Sequence, residues 1–496
     1  MTTSTTDPDV RRPLMSIGGR WTAAASGRTL PVVDPSTEET IGQIPAGDAA
    51  DVASAVEAAG DAGRAWRSTT WKARAELLRE LADRIDDCRE ELAQLDAIDS
   101  GNPVTGMRGD VRKAAEDLRY FGGLGGELKG ETVPWTDVQF GQTFREPYGV
   151  VGRITAYNHP LMFAVSKSAA ALMAGNSIVV KPSEHTSLST LRFAEIAADV
   201  LPTGVLNVVT GLGHEAGAAL VEHPDVPRVA FTGGVPTGRA ILRSGAEHIK
   251  HVTVELGGKN PMIVFPDADV TAAATAAVTA MNLRRSMGQS CRSTSRLLLH
   301  ASIVDEFTDA LVEQVESLRI GDPRRDDVDM GPLAFAAHYE RVLDYIDVGR
   351  SEGARVVTGG GRPAGLQRGY YVAPTVFADV HPTMRIATEE IFGPVICTMA
   401  WTDYDEMIEV ANGVEYGLTA NIWTNDLSAA HRTAQQVQAG MVWINGDGSG
   451  PPGVPFGGYK QSGLGKEGTL AELLGYTREK SVIMNLTGPA AGAAGR

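Results

Sequence analysis

Val150-Val-Gly-Arg-Ile-Thr-Ala-Tyr-Asn-His-Pro160 and Ser177-Ile-Val-Val-Lys-Pro-Ser-Glu184 set two short apolar runs on either side of a helix-length segment, residues 160–174. Both runs are rich in β-branched residues and too short for a buried helix, so each is predicted to be an interior strand. The alternation continues outward. A helix is predicted over 187–200, a strand at 206–209, a helix at 214–222, a strand at 228–231, a helix at 235–245 and a strand at 251–255. Strands alternating with helices predict a parallel sheet covered on both faces. Ligands of such sheets lie beyond the carboxyl ends of the strands. Asn158, Lys181, Glu184, Gly211 and Gly233 occupy those positions and become site candidates.

A second α/β region is predicted from Gly257, with strands at 261–265, 296–300, 354–357, 370–377 and 441–445. Its helices are predicted at 269–281, 302–318, 335–351, 405–412 and 427–439. Upstream, short strands broken by turns are expected over 17–44. A helix capped by Asp48 follows, then one amphipathic helix over 72–97 and another over 109–120. Residues 129–148 are predicted to form a hairpin with little core of its own. The strand at 478–486 lies beyond the second region and is a candidate to join it. The polar residues 1–16 and the Ala/Gly-rich residues 488–496 are expected to be flexible tails.

With 496 residues, the chain is long enough for two or three domains. A composition of 43% hydrophobic and 21% charged residues is that of a soluble globular protein. The net charge of −16 argues against nucleic acid and anionic membrane as partners. No apolar core marks a signal peptide at the start, and no run approaches the roughly eighteen apolar residues of a membrane span. Three scattered cysteines, Cys88, Cys291 and Cys397, supply neither a disulfide framework nor a metal site, and a reducing, cytoplasmic setting is expected.

Cys291 stands in Arg284-Arg-Ser-Met-Gly-Gln-Ser-Cys-Arg292, where Gly288 permits a tight turn. Taken alone, a lone cysteine is more often buried structure than chemistry. The crowding arginines would lower a thiol's pKa and favour the nucleophilic thiolate. Of two glycine loops, 211–217 departs from the usual dinucleotide spacing. Phe231-Thr-Gly-Gly234 is the better phosphate cradle, because it follows a strand and opens a helix.

Together, Asn158-His-Pro, Lys181-Pro-Ser-Glu184, Phe231-Thr-Gly-Gly, Glu255-Leu-Gly-Gly-Lys259, Gly288-Gln-Ser-Cys291, Glu389-Glu-Ile-Phe-Gly-Pro394 and Pro455-Phe-Gly-Gly-Tyr-Lys-Gln-Ser-Gly463 resemble the aldehyde dehydrogenase superfamily over about residues 17–486. The resemblance implies two doubly wound Rossmann-like α/β domains plus a small β-ribbon for oligomerisation. The NAD-binding domain would comprise 17–128 and 148–256, the catalytic domain 257–460, and the ribbon 129–147 and 475–487. It implies NAD-dependent oxidation of an aldehyde to an acid in a homodimer or homotetramer. Cys291 would be the nucleophile, Asn158 and the Cys291 backbone N–H the oxyanion donors, and Glu255 the base that activates water. Glu255 argues for hydrolysis to a free acid rather than transfer to coenzyme A, and counts against reduction of an acyl thioester or phosphate. Glu467 matches a second glutamate with a proton-relay role, and Lys167 joins the catalytic set.

For the cofactor the resemblance implies Lys181 and Glu184 at the adenosine ribose, where a carboxylate disfavours the extra phosphate of NADP. Glu390 and Phe392 would hold the nicotinamide ribose and ring. Thr155, Ser183, Gly213, Gly217, Phe231, Thr232, Gly233, Gly234 and Leu256 complete the set. Gly234 and Pro236 replace a serine and a glutamate common in the family. The substrate set comprises His159, Met162, Ser166, Arg285, Ser290, Arg292 and Phe456. Ser166 stands where tryptophan is frequent, and the loop 446–453 has no aromatic residue. A wide tunnel for a bulky, polar or carboxylate-bearing aldehyde is therefore expected. Arg285 lies at the offset where semialdehyde dehydrogenases bind a distal carboxylate, although their second arginine maps to Ser166. The base and oxyanion donors suffice for catalysis, which leaves the arginines as the clue to which aldehyde is used. A catalytically silent scaffold is the alternative from another class.

Overall fold

The computed structural model describes residues 14–486. An eight-stranded sheet carries the first α/β region. Its parallel strands run in space as Leu206–Val208, Ser177–Lys181, Val150–Ile154, Arg228–Thr232 and His251–Glu255. The chain builds outward from Val150–Ile154 in one direction, then crosses to its other side with Arg228–Thr232. The order therefore reverses between those two strands, and their carboxyl ends open a crevice there. Every residue of Val150–Ile154, Ser177–Lys181 and Arg228–Thr232 is buried, which explains runs without polar alternation. Met15 and Ser16, expected to end a flexible tail, instead belong to the strand Met15–Ile17, with Ser16 opposite Val208. The rest of the predicted tails, 1–13 and 488–496, lies outside the described residues.

The second sheet has seven strands: Arg355–Thr358, Thr375–Ala378, Val395–Trp401, Arg296–His300, Pro261–Val264, Thr419–Trp423 and Met441–Ile444. Only the edge strand Arg355–Thr358 is antiparallel. Val395–Trp401 and Thr419–Trp423 were not among the strands expected. Both are interior strands with buried residues on both faces, so neither shows period-two alternation. The strand expected over 370–377 shortens to Thr375–Ala378 after Pro374, which has no N–H to donate.

The helix expected over 72–97 is two helices, Trp71–Asp87 and Arg89–Ser100, joined at Cys88 with φ −94° and ψ 15°. The apolar stripe persists through Leu78, Leu81, Ile85 and Leu92, all at 0% exposure, so hydrophobic periodicity does not reveal the break. Asp48 caps Ala49–Trp66 in a reciprocal capping box with Asp51. The hairpin Thr132–Thr136 and Gln139–Pro147 takes Thr477–Asn485 as its third strand. Val133, Trp135 and Ile483 on this ribbon are exposed.

Candidate active site

The crevice beyond the first sheet is a cavity of about 800 Å³. Thr155, Lys181, Ser183, Glu184, Gly213, Gly217, Phe231, Thr232, Gly233, Gly234, Leu256, Glu390 and Phe392 all line it. So do Asn158, Glu255 and Cys291. The structure thus gathers both groups of residues on one wall. Glu255 ends its strand, with Thr232 opposite in the parallel ladder. Asn158 follows Val150–Ile154 by a short loop. Cys291 comes from the second region, in the loop between the turn Leu283–Ser286 and the strand Arg296–His300.

That loop is tightly constrained. Gly288 has φ +74°, and a Cβ there would run into the Gly393 carbonyl. Met287, next to it, holds φ +51°. A Cβ on Gly258 would collide with the Cys291 carbonyl, which accepts a 2.8 Å bond from Asn260 Nδ2. The glycines after Glu255 therefore allow the two regions to meet at the nucleophile.

The Cys291 thiol and the Glu255 carboxyl line the same cavity and act on each other electrostatically. Burial raises both pKa values, and the Glu255 and Glu390 carboxylates raise that of Cys291 further. The nearby Arg292 opposes this only weakly. Against the expectation that the arginines lower it, the pKa of the Cys291 thiol is pushed above its ordinary value, chiefly by burial. Glu255 is 5% exposed and its Oε1 has no hydrogen-bond partner. Such a carboxyl can take a proton from Sγ or from a water.

Asn158, 3% exposed, is held from two sides. Its Nδ2 donates to the Gln289 carbonyl at 2.8 Å, and its own carbonyl accepts from Asn102 Nδ2 at 2.9 Å. An amide carries two N–H donors. One orients the group and the second is available to a substrate oxygen. The Cys291 backbone N–H has no intramolecular acceptor among the described residues.

Lys167 and Glu467 form an ion pair beside Glu255, with Arg153 Nη2 at 3.7 Å from Glu467. Burial lowers the Lys167 pKa. Neither residue lines the main cavity; Glu467 and Glu255 both border a smaller one behind it. At the far end of the cleft, Lys181 Nζ donates to Glu184 at 2.9 Å. The helix Val235–Ala246 opens at Gly234 without a side-chain cap, so its first N–H groups face the cleft. Glu390 accepts from Gly258 N at 2.8 Å, and burial raises its pKa to about 7.

The substrate candidates His159, Met162, Ser166, Arg285, Ser290, Arg292 and Phe456 are absent from the wall of this cavity. Arg285 donates through Nε at 2.7 Å, and through Nη2, to Asp110 Oδ1, with Met162 Sδ at 3.5 Å from Nη2. Asp110 Oδ2 lies 2.6 Å from His159 Nδ1. Ser166 is buried, its hydroxyl without a partner. Ser290 Oγ accepts from Arg292 N at 3.3 Å. The Arg292 guanidinium lies 6.0 Å from the Phe456 ring. Sequence reasoning missed Asp110. It sits within the helix Val104–Gly123, in no motif, and only its 0% exposure marks it. His338 and Arg341, also on the cleft wall, were likewise missed; Arg341 Nη2 donates to the Glu390 carbonyl at 2.7 Å.

A crevice at a sheet's switch point, joined to a cysteine–glutamate–asparagine cluster, defines an oxidoreductase built around a covalent nucleophile. The chain belongs to the aldehyde dehydrogenase family, whose sequence profile matches residues 21–482. It is 44% identical over 489 residues to hydroxyisobutyraldehyde dehydrogenase of Mycolicibacterium austroafricanum, covering 98% of this chain and 96% of that one. Among solved structures it is similar to an aldehyde dehydrogenase of Bacillus cereus in its NAD⁺ complex, at TM-score 0.94 and 40% identity. That match covers 98% of this chain and 100% of the other. A putative aldehyde dehydrogenase of Burkholderia cenocepacia matches at TM-score 0.94 and 44% identity over 97% of this chain and 99% of that one. No helix among the described residues is long and apolar enough to cross a membrane.

Proposed function

We propose that the protein oxidises an aldehyde to its carboxylic acid with NAD, through a thioester on Cys291. The observation that carries this reading is that Cys291, Glu255 and Asn158 line one cavity together with Lys181, Glu184 and Glu390. The cleft suits NAD. Uncapped helix N–H groups at Gly234 fit a pyrophosphate, and the Lys181–Glu184 pair fits a ribose diol. The Glu184 carboxylate would repel the extra phosphate of NADP. Glu390 and Phe392 would hold the nicotinamide end. When bound, NAD supplies the acceptor for the hydride leaving the substrate carbon.

Glu255 accepts the thiol proton as Sγ bonds to the aldehyde carbon, and the carbonyl electron pair moves onto oxygen. The free Asn158 N–H and the Cys291 backbone N–H donate to that oxyanion. Once oxidised, the acyl group remains on Sγ as a thioester. Glu255, having passed the first proton to solvent, takes another from water, whose oxygen attacks the acyl carbon. The acid leaves and Sγ is protonated again. Lys167 stabilises the charge on Glu255, and Glu467, paired with Lys167, offers a route for its proton.

Asn158→Ala is expected to lower kcat by about 10²–10³-fold with a smaller change in KM, because the donor acts on charge present only after attack. Steady-state kinetics with one aldehyde checks this. A loss confined to KM would contradict the oxyanion role.

The direct test of the function is NADH absorbance with a panel of neutral, hydroxylated and carboxylated aldehydes, repeated with NADP. Turnover with NAD exceeding that with NADP is the expected result. NAD binding without oxidation of any aldehyde would favour a silent scaffold. The substrate is proposed to be polar or carboxylate-bearing. In the reading that assigns a distal carboxylate to Arg285, the substrate must displace Asp110, which now occupies that guanidinium. We also propose a homodimer or homotetramer assembled through the ribbon, supported by the exposure of Trp135 and Ile483.

A further inference from the structure

Three arginines crowd the nucleophile in sequence, and the fold engages two of them with acids. Arg284 pairs with Asp329. Arg285 pairs with Asp110, whose second oxygen is held by His159. Asp110 thus has no oxygen left for a further cation. Arg292, next to Cys291, has no carboxylate within ion-pair distance among the described residues. Its Nη1 donates to the Gly448 carbonyl at 3.3 Å, the one hydrogen bond its guanidinium makes among them. The acid in that loop, Asp447, turns instead to Ser449, accepting from its backbone N at 3.0 Å and its hydroxyl at 2.6 Å. Burial lowers the Arg292 pKa, and the neighbouring charge of Arg285 lowers it further.

A half-buried guanidinium without a counter-charge is costly, and the cost is removed when an anion arrives. Asp110 and Glu255 act on Arg292 only from beyond ion-pair distance. His159 is pushed toward its neutral form by burial. Burial raises the pKa of the Cys291 thiol. Of the two arginines nearest the reacting sulfur on either side, Arg285 is paired with Asp110 and Arg292 has no ion-pair partner among the described residues.

We infer that Arg292 binds a carboxylate carried by the substrate itself, which makes the preferred substrate a short aldehyde bearing an acid group near its far end. The inference rests on the proposed aldehyde oxidation and names its substrate class. Because Arg292 follows the nucleophile directly, a carboxylate on the guanidinium fixes the aldehyde carbon near Sγ. Specificity and orientation then come from one ion pair.

The test compares succinic semialdehyde with its methyl ester, which keeps the aldehyde and removes the charge. In the wild-type protein kcat/KM for the acid should exceed that for the ester by at least about 30-fold, most of it in KM. In Arg292→Gln that ratio should fall to within about threefold of one, and Arg292→Lys should restore part of it. Equal values for acid and ester in the wild-type protein would overturn the inference even if neither variant folds. A preference that survives in Arg292→Gln would also overturn it and point to Arg285. In both cases oxidation of the ester would leave the aldehyde dehydrogenase reading intact. Failure to oxidise any aldehyde would overturn both.

Discussion

Cys291→Ser is expected to lower kcat/KM for every aldehyde by about 10⁴–10⁶-fold while NAD binding persists. A hydroxyl at this position is a far weaker nucleophile, and a buried carboxyl cannot raise its reactivity enough to compensate. The loss should fall on kcat, because the side chain acts on the reacting carbon rather than on the cleft that holds the dinucleotide. NADH absorbance measures the rate, and quenching of protein fluorescence measures the dinucleotide. A variant retaining more than about a tenth of the activity would remove Cys291 from the mechanism.

Glu255→Gln should slow turnover by about 10²–10⁴-fold, the range of a general base. The two predictions differ in what accumulates. Without the base, any enzyme that does acylate cannot hydrolyse its thioester, so intact-protein mass spectrometry should find the acyl adduct on Cys291. The Cys291 variant should show none. The pH dependence follows from burial. Glu255 acts as a base only when ionised, and burial raises its pKa above the usual carboxylate range. The wild-type kcat/KM should therefore climb as pH rises through that value. In Glu255→Gln the limb due to this group should vanish. A wild-type limb retained unchanged in the variant would assign the titration elsewhere.

Much of the site was legible because its chemistry sits at strand ends and in short glycine motifs. A carboxylate followed by Gly257 and Gly258, or a cysteine preceded by Gly288, is a local statement about backbone approach. Most of the residues expected at the cleft come from such segments and line it, whereas His338 and Arg341, which also line it, stand in no such motif. Asp110 had no such mark. It lies mid-helix, and its importance arises because the helix Val104–Gly123 and the Arg285 turn pack together around His159. The helix break at Cys88 was hidden for a related reason: the buried stripe continues across it, and the capping residues give no strong stop.

The sequence by itself determined the parallel α/β architecture, the family and the set of polar groups available for catalysis. Strand alternation, helix periodicity and glycine placement are short-range properties of a chain, and they survive without coordinates. Only the tertiary structure decided the states of those groups. Burial beside Glu255 raises the pKa of Cys291, against the lowering that the basic sequence around it suggests. Asp110, distant in sequence, decides that Arg285 is paired and Arg292 is not. Charge and desolvation act through space, so a local cluster of arginines says little about which of them is free to meet a substrate.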